Sequence, residues 1–333
     1  MMGERAIAVT GGAGYIGSHA CRLLATVGAD PLVIDNLSTG SFLALNWGAF
    51  VEIDIRQTRQ LAEALQRYEV DTVFHFAASA YVGESMTDPL KYHDNNVGGM
   101  VSLLSACATA GVRKFILSSS CATYGVPAQV PISERAAQEP INPYGRTKLI
   151  CEQMLKDVAP QIGMDYAILR YFNVAGADPC GRLRERHSPE THIIPLALFA
   201  AAGSGPPLQV YGTDYDTPDG SCIRDYIHVS DLVQGHLDAL HHLDRAGGPI
   251  TVNLGSGRGS SVLEILATVE AITALPVPVT FAPRRPGDPP VLVADTGHAR
   301  DLLGFDPQRS DLPTIIADAA RSFGLEAAHA LSA

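Results

Sequence analysis

The chain has 333 residues, which is long for a single hydrophobic core and sufficient for two domains. Its 24 basic and 35 acidic residues leave a net charge of −11, which opposes non-specific binding to nucleic acid, so we expect no nucleic-acid partner. Apolar residues make up 46% of the chain. No apolar run reaches the roughly 18 residues needed to span a bilayer, so we expect no membrane partner either.

The N-terminus and the cysteines both favour a cytoplasmic protein. Residues 1–5 pass directly into a strand-like segment, without the charged leader, long apolar stretch and cleavage site of a secretory signal. The six cysteines form no C-x-x-C pair and are expected to be reduced thiols. The 11 histidines show no ligand spacing, so the sequence predicts no metal site.

The first half of the chain alternates between apolar β-branched segments and amphipathic segments. Strands are predicted at 6–9, 31–34, 70–76, 114–118 and 166–171, with helical periodicity between them, as at 18–28 and 98–110. This alternation is typical of βαβ units in a parallel sheet covered on both faces. It predicts an α/β fold with a Rossmann-type doubly wound sheet.

The alternation stops at about residue 178. Segments 178–191 and 210–221 are rich in glycine, proline and charge and are predicted to be long loops. A strand-then-helix pattern returns at 223–243, and again at 250–254 followed by 261–274. We therefore expect a Rossmann domain at 1–177 with return segments at about 223–255, interleaved with a smaller C-terminal α/β substrate domain at 178–333.

A glycine-rich segment follows the first predicted strand and opens a helix. Gly11, Gly14 and Gly17 lack side chains, so the backbone can approach a pyrophosphate at the helix N-terminus. Asp35 ends the second strand, where a carboxylate can accept hydrogen bonds from both ribose hydroxyls and would repel a 2′-phosphate. The sequence therefore predicts NAD as the cofactor, in preference to NADP.

Tyr144 and Lys148 stand four residues apart, so on a helix their side chains share a face. An ammonium beside a phenol favours the ionised form of the phenol. Lowering a phenol pKa by roughly three units requires about 4 kcal/mol, which one cation at about 4 Å supplies in an effective dielectric near 20. We therefore predict that Tyr144 is a base that Lys148 activates.

These features, together with Ser118, Ser119 and Ser120, resemble the extended short-chain dehydrogenase/reductase superfamily, and most closely its nucleotide-sugar 4-epimerases. Further segments that resemble this family lie at 35–38, 82–85, 92–97, 169–173, 224–229 and 281–288. The resemblance implies an enzyme that interconverts UDP-glucose and UDP-galactose through a 4-keto intermediate, with tightly bound NAD. It also implies a homodimer, formed by the helices at about 98–110 and 144–158.

The resemblance assigns roles only to matching positions. Catalytic roles fall to Ser120, Tyr144 and Lys148. Contacts with NAD are expected from Gly11, Gly14, Tyr15, Ile16, Gly17, Asp35, Asn36, Ser38, Asp54, Ile55, Phe76, Ala77, Ala78, Asn95, Tyr144, Lys148 and Phe172. Contacts with the UDP-sugar are expected from Ser120, Asn173, His192, Ile193, Gln209, Tyr211, Arg224, Tyr226, Arg285, Asp288 and Leu292.

Three alternative functions stay open. The sugar could be a pentose or an N-acetylated hexose, because Ala80, His192 and Leu292 depart from residues found in some family members. Nucleotide-sugar dehydratases share the catalytic trio but need an acid and a base where this chain has Cys121 and Ala122, which makes dehydration less favoured. A non-catalytic NAD-binding regulator is the third alternative, since a fold alone implies no activity.

Overall fold

The computed structural model of this chain describes residues 6–285 and 288–325. Residues 1–5, 286–287 and 326–333 lie outside the described residues. They include the N-terminal end of the first predicted domain, the C-terminal end of the second and two positions of the predicted motif at 281–288.

The described chain folds into strands and helices that alternate along much of the sequence. The strands are β1 (Ala6–Thr10), β2 (Asp30–Asp35), β3 (Ala49–Glu52), β4 (Val70–His75), β5 (Lys114–Ser120), β6 (Asp165–Tyr171), β7 (Asn173–Ala175), β8 (Leu208–Tyr211), β9 (Ile223–His228), β10 (Ile250–Leu254), β11 (Gly259–Ser261), β12 (Val279–Ala282) and β13 (Val291–Leu292).

The α-helices are α1 (Tyr15–Thr26), α2 (Thr58–Arg67), α3 (Val82–Thr87), α4 (Pro89–Tyr92), α5 (Gly99–Ala110), α6 (Pro143–Val158), α7 (Ile193–Ala201), α8 (Val229–Asp244), α9 (Val262–Thr273), α10 (Gly297–Leu303) and α11 (Leu312–Ser322). One π-helical turn, His93–Gly98, joins α4 to α5. No helix among residues 6–285 and 288–325 is long and apolar enough to cross a membrane.

Seven strands form a parallel sheet in the order β10-β6-β5-β4-β1-β2-β3. Both faces are buried: α2, α5 and α6 pack over one apolar core, while α1 and α8 pack over the other. Burial on both faces explains why the central strands are almost continuously apolar. The predicted fold class is confirmed, and β3, which the sequence analysis did not predict, extends the sheet beyond β2.

A second, smaller sheet is built around β9. This strand pairs antiparallel with β11 and parallel with β7 and β13, while β8 and β12 form a separate parallel pair. The apolar faces of α7, α9 and α11 share a third core with β8. Segment 210–221 is therefore not entirely a loop, because its first two residues complete β8.

The chain passes between the two sheets more than once. It enters the second sheet at β7, returns to the first sheet with α8 and β10, and leaves again at β11. The return was predicted to begin at residue 223, but β9 belongs to the second sheet, so the return begins at Val229. Ala299 of α10 also packs against the core beneath β10. The boundary between 177 and 178 stays a prediction.

Candidate active site

A cavity of about 880 Å³ opens at the carboxyl edge of the seven-stranded sheet and extends to the second sheet. One side of the cavity is lined by the final residues of β1, β2, β4, β5 and β6 or by the loops that follow these strands. The other side is lined by β9 and β13. Ligand sites in open parallel sheets form at this edge because the strand order reverses there and leaves a crevice.

The glycine-rich segment forms the tightest wall of this cavity. Gly11 has a φ of +75°, and a Cβ added to it would lie 2.6 Å from the backbone nitrogen of Ala77. A Cβ at Gly17 would lie 2.2 Å from the Gly11 oxygen. Gly14 precedes α1 without a side-chain cap, so the first N–H groups of that helix face the cavity edge without a capping oxygen. These groups can bind the phosphates of a dinucleotide.

Asp35 lies at the end of β2, beside the glycine-rich segment. One carboxylate oxygen accepts a hydrogen bond from the Ala13 N–H at 3.0 Å, and the other accepts from the Leu37 N–H at 2.8 Å. Burial raises the pKa of this carboxyl, while the backbone N–H groups oppose the rise. Each oxygen retains a lone pair that can accept from a ribose hydroxyl.

Helix α6 carries the predicted catalytic pair and begins at a defined residue. The Asn142 side chain accepts a hydrogen bond from the Gly145 N–H at 2.8 Å, and Pro143 occupies the first helical position. Tyr144 and Lys148 then project from one face towards the carboxyl end of β5, and both are buried. The local sequence therefore sets the spacing, and the packing of α6 against the sheet aims both side chains into the cavity.

The Lys148 ammonium lies between the phenol and the sheet. Its Nζ donates a hydrogen bond to the Ser118 carbonyl oxygen at 2.8 Å and lies 5.9 Å from the centre of the Tyr144 ring. Ser120, at the end of the same strand, faces the Tyr144 phenol and acts to lower its pKa. The three side chains therefore meet at one point of the cavity wall.

The pKa of the phenol does not follow the expectation from sequence. Burial raises the pKa of Tyr144 above its ordinary value, although Ser120 opposes the rise. Burial also lowers the pKa of the Lys148 ammonium. The predicted lowering of the phenol pKa is wrong for the protein without ligands, because the spacing argument used about 4 Å between the groups and left out desolvation.

A buried ion pair between Glu152 and Arg170 anchors α6, the helix that carries Tyr144 and Lys148. Glu152, one turn after Lys148 on α6, is bonded by the Arg170 guanidinium at 2.6 and 2.9 Å and by the Ser119 hydroxyl at 2.5 Å. Both charged side chains are almost fully buried. The pair fixes α6 to β5 and β6, so it holds Tyr144 relative to Ser120.

The opposite end of the cavity carries cationic side chains. Arg224 on β9 is mostly buried, donates to the Ile223 carbonyl oxygen at 2.7 Å and forms an ion pair with Asp288. The Arg285 guanidinium lies over the Tyr211 ring, 3.9 Å from its centre. These are the local cations that an anionic ligand requires on a chain with a net charge of −11.

Three predicted residues do not line the cavity. The Asp54 carboxylate instead accepts hydrogen bonds from the side chains of Arg56 and Asn36, which hold it beside the cavity wall. Gln209 and Tyr211 lie on β8, where their side chains contact each other, and Tyr211 reaches the cavity only through Arg285. The other predicted site residues all line the cavity. The roles of all of them stay predictions.

The cavity also contains residues that the sequence analysis missed. Tyr171 ends β6 beside the catalytic trio, and burial raises its pKa to about 12. Tyr81, Glu185 and His187 line the wall near the glycine-rich segment. The sequence did contain a signal for Tyr171, because this residue stands at the carboxyl end of a parallel strand. Ligand sites form at the edge of the sheet where such strand ends meet. Glu185 and His187 lay in a segment read only as a loop.

His187 and His192 are held against two carboxylates, those of Glu185 and Glu190. Burial acts to lower the pKa of both imidazoles, but the facing carboxylates outweigh it and raise the pKa to about 9 for His187 and about 10 for His192. His192 is thus bound to neighbouring side chains, and it still reaches the cavity. The four residues form a compact charged cluster on the cavity wall.

Comparison with known proteins supports the interpretation of this geometry. Residues 7–255 match the model of the NAD dependent epimerase/dehydratase family. A UDP-glucose 4-epimerase of Rhizobium meliloti is 51% identical over 302 residues, covering 91% of this chain and 92% of that protein.

Two solved structures extend the likeness to three dimensions. The UDP-glucose 4-epimerase of Brucella ovis, solved in complex with NAD, has a TM-score of 0.95 and 56% identity, covering 97% of this chain and 99% of that one. The enzyme of Bifidobacterium longum, solved with NAD+ and UDP, has a TM-score of 0.91 and 35% identity, covering 96% and 98%. The chain therefore belongs to the NAD-dependent epimerase/dehydratase family, among the UDP-glucose 4-epimerases.

Proposed function

We propose that this protein interconverts UDP-glucose and UDP-galactose by inverting C4 of the hexose, with NAD as a tightly bound cofactor. The observation that carries the proposal is a single cavity that joins three features: a glycine-rich dinucleotide cradle, the Ser120–Tyr144–Lys148 trio and an arginine-bearing far wall. A dinucleotide and a nucleotide-sugar can then meet at the trio.

The residues on one side of the cavity fit NAD. A Cβ at Gly11 or Gly17 would collide with neighbouring backbone, so glycine at both positions permits the tight loop that would present the α1 N-terminus to a pyrophosphate. Asp35 would accept hydrogen bonds from the adenosine ribose, and its charge disfavours a 2′-phosphate. Bound there, NAD would supply reversible hydride transfer at C4 of the sugar, so the reaction would involve no net oxidation.

The far wall would hold UDP. Arg224 and Arg285 supply positive charge for the diphosphate, and Asn173, Tyr226 and Asp288 border the same end of the cavity. Among the enzymes compared above, that of Bifidobacterium longum was solved with UDP. Firm anchoring of UDP with few rigid contacts to the hexose would let the sugar rotate and present either face of C4 to the cofactor.

Tyr144 would move the proton of the reaction. Its phenolate would take the proton from the 4-hydroxyl of the sugar, while Ser120 hydrogen-bonds the same oxygen. Because burial raises the pKa of Tyr144, the phenolate depends on nearby positive charge, which Lys148 supplies. After the sugar has rotated, return of the proton to O4 together with return of hydride to the opposite face of C4 would complete the inversion.

The alternatives are less well supported. Cys121 and Ala122 line the cavity where a dehydratase needs a carboxylic acid and a base, and neither can transfer a carboxyl proton. A non-catalytic regulator would not need three buried catalytic groups at one point. Leu292 borders the sugar end without a hydroxyl, so some turnover of N-acetylated UDP-hexoses is part of the proposal.

Assembly and location are further parts of the proposal. We expect a homodimer formed through α5 and α6, as the resemblance to the family implies. We expect the protein to work in the cytoplasm, which agrees with six free cysteines.

The test is turnover of UDP-galactose, UDP-xylose and UDP-N-acetylgalactosamine by the purified protein, with products separated by chromatography. The proposal expects conversion of UDP-galactose to UDP-glucose without added NAD, and slower conversion of the N-acetylated sugar. Retained NAD without turnover of any of the three would instead support a non-catalytic role.

A further inference from the structure

We propose that Glu185, His187, Glu190 and His192 form a binding site for one divalent transition-metal ion of the zinc class. The sequence analysis predicted no metal site, because the histidines showed no recognised ligand spacing and the E-x-H-x-x-E-x-H pattern of residues 185–192 was not singled out. The structure brings one ligand atom from each side chain within 4.8 Å of every other. Two imidazole nitrogens and two carboxylate oxygens form a donor set that zinc accepts.

The distances within the cluster suit a tetrahedral ion. Bonds of about 2.0–2.1 Å place neighbouring tetrahedral ligands about 3.3 Å apart. His187 Nδ1 lies 3.0 Å from a Glu185 oxygen and 3.7 Å from a Glu190 oxygen. His192 Nδ1 lies 2.7 and 2.9 Å from oxygens of the same two carboxylates. These four separations between imidazole nitrogens and carboxylate oxygens lie within about 0.6 Å of the tetrahedral value.

Hydrogen bonds alone do not satisfy these groups. The buried Nδ1 of His187 lies in ion-pair contact with a Glu185 oxygen 3.0 Å away but forms no hydrogen bond of acceptable geometry. The His192 Nδ1 faces two carboxylate oxygens although it can donate at most one proton. A cation at the centre of the cluster would accept electron pairs from all four atoms and leave none of them unpartnered.

The surroundings hold the cluster in place. The Glu185 side chain is 5% exposed and that of Glu190 is 9% exposed. One Glu190 oxygen accepts hydrogen bonds from the backbone N–H groups of Thr191 and His192 at 2.7 and 2.8 Å, which orients its carboxylate. Backbone bonds of this kind commonly orient the ligands of metal sites.

Aromatic rings enclose the other side of the cluster. The His187 ring lies 6.4 Å from the Tyr15 ring and 5.6 Å from the Tyr81 ring, both nearly perpendicular to it. Tyr15 is fixed in turn by a 2.7 Å hydrogen bond to the Gly176 carbonyl oxygen. An ion in this position would join the two ends of segment 185–192 and fix His192 at the cavity wall. The inference rests on these contacts and does not depend on the proposed function.

The experiment measures metal binding directly. Full-length protein is treated with a chelator, dialysed and titrated with Co²⁺, and zinc content is measured on a second sample after exposure to Zn²⁺ and gel filtration. We expect one equivalent of either metal, visible absorption bands of four-coordinate Co²⁺, displacement of Co²⁺ by Zn²⁺ and a higher melting temperature with metal.

Variants locate the ion. His187→Asn and Glu190→Gln should each weaken Co²⁺ binding at least tenfold and abolish the metal-dependent rise in melting temperature. His298→Asn and Glu63→Gln remove an exposed imidazole and an exposed carboxylate elsewhere, and should bind Co²⁺ like the unmodified chain. Circular dichroism without metal establishes that each variant is folded, so lost binding is not lost structure.

Two results would overturn the proposal. One is binding of far less than one equivalent by the unmodified protein, which would leave the cluster as ion pairs between protonated imidazoles and carboxylates. The other is unchanged binding in both His187→Asn and Glu190→Gln, which would move the ion to a different part of the chain.

Discussion

Replacing Lys148 with methionine tests the proposed base most directly. Methionine has a similar length and no charge, so the substitution removes the ammonium beneath Tyr144 while keeping much of the packing. A phenolate that has lost its cation is less stable, and its pKa therefore rises. Activity that requires the phenolate should then fall at neutral pH, and the acidic limb of the rate profile should move to higher pH.

The structure gives the order of magnitude of this shift. The ammonium lies 5.9 Å from the centre of the phenol ring. With charges separated by roughly that distance and an effective dielectric near 20, one unit charge stabilises another by about 2.8 kcal/mol. Since one pKa unit corresponds to about 1.36 kcal/mol, the acidic limb should move by about two pH units.

The assay is the rate of UDP-galactose conversion as a function of pH, with NAD occupancy measured on the same samples. Lys156→Met is the matched control, because Lys156 lies two turns further along α6, is 40% exposed, is not among the residues that line the cavity, and makes only a 3.9 Å contact with Glu152, which keeps its Arg170 partner. It should leave the acidic limb in place. Both variants are compared with the unmodified chain for melting temperature.

An unmoved acidic limb in Lys148→Met, with NAD still bound, would refute the reasoning. Lys148 would then act only as a ligand of the cofactor, and Tyr144 would be a packed aromatic side chain. The measured NAD occupancy would reveal any loss of cofactor from the variant. A defect in NAD binding is therefore not mistaken for a change in the pKa of Tyr144.

Further predictions concern the cofactor, the trio, its support and the sugar end. The protein should purify with NAD, because a cofactor restored in every cycle has no need to leave; nucleotide released on denaturation measures this. Tyr144→Phe should slow turnover by about 10²–10⁴-fold with NAD retained. Glu152→Gln should cost about 3–5 kcal/mol of unfolding free energy in denaturant titrations, because Arg170 would be left as an unpaired buried charge. Leu292→Tyr should reduce UDP-N-acetylgalactosamine turnover more than UDP-galactose turnover; equal reductions would contradict it.

The sequence by itself determined the elements whose signals are local. Apolar alternation located most strands of the parallel sheet, and the position of Gly11, Gly14 and Gly17 between a strand and a helix was enough to predict a dinucleotide-binding loop there. The spacing of Tyr144 and Lys148 was enough to predict one helical face, because helical geometry depends only on neighbouring residues.

Tertiary packing decided the features that depend on distant segments. The sequence could not show that β9 pairs with β7 and β13, since register between strands far apart in the chain leaves no local pattern. It could not give the pKa of Tyr144, because burial, which sets the direction of the shift, arises only when α6 packs on the sheet. Nor could the sequence show that His187 and Glu190 lie close to Glu185 and His192. Segment 185–192 has no regular periodicity, and its shape depends on the surfaces that enclose it.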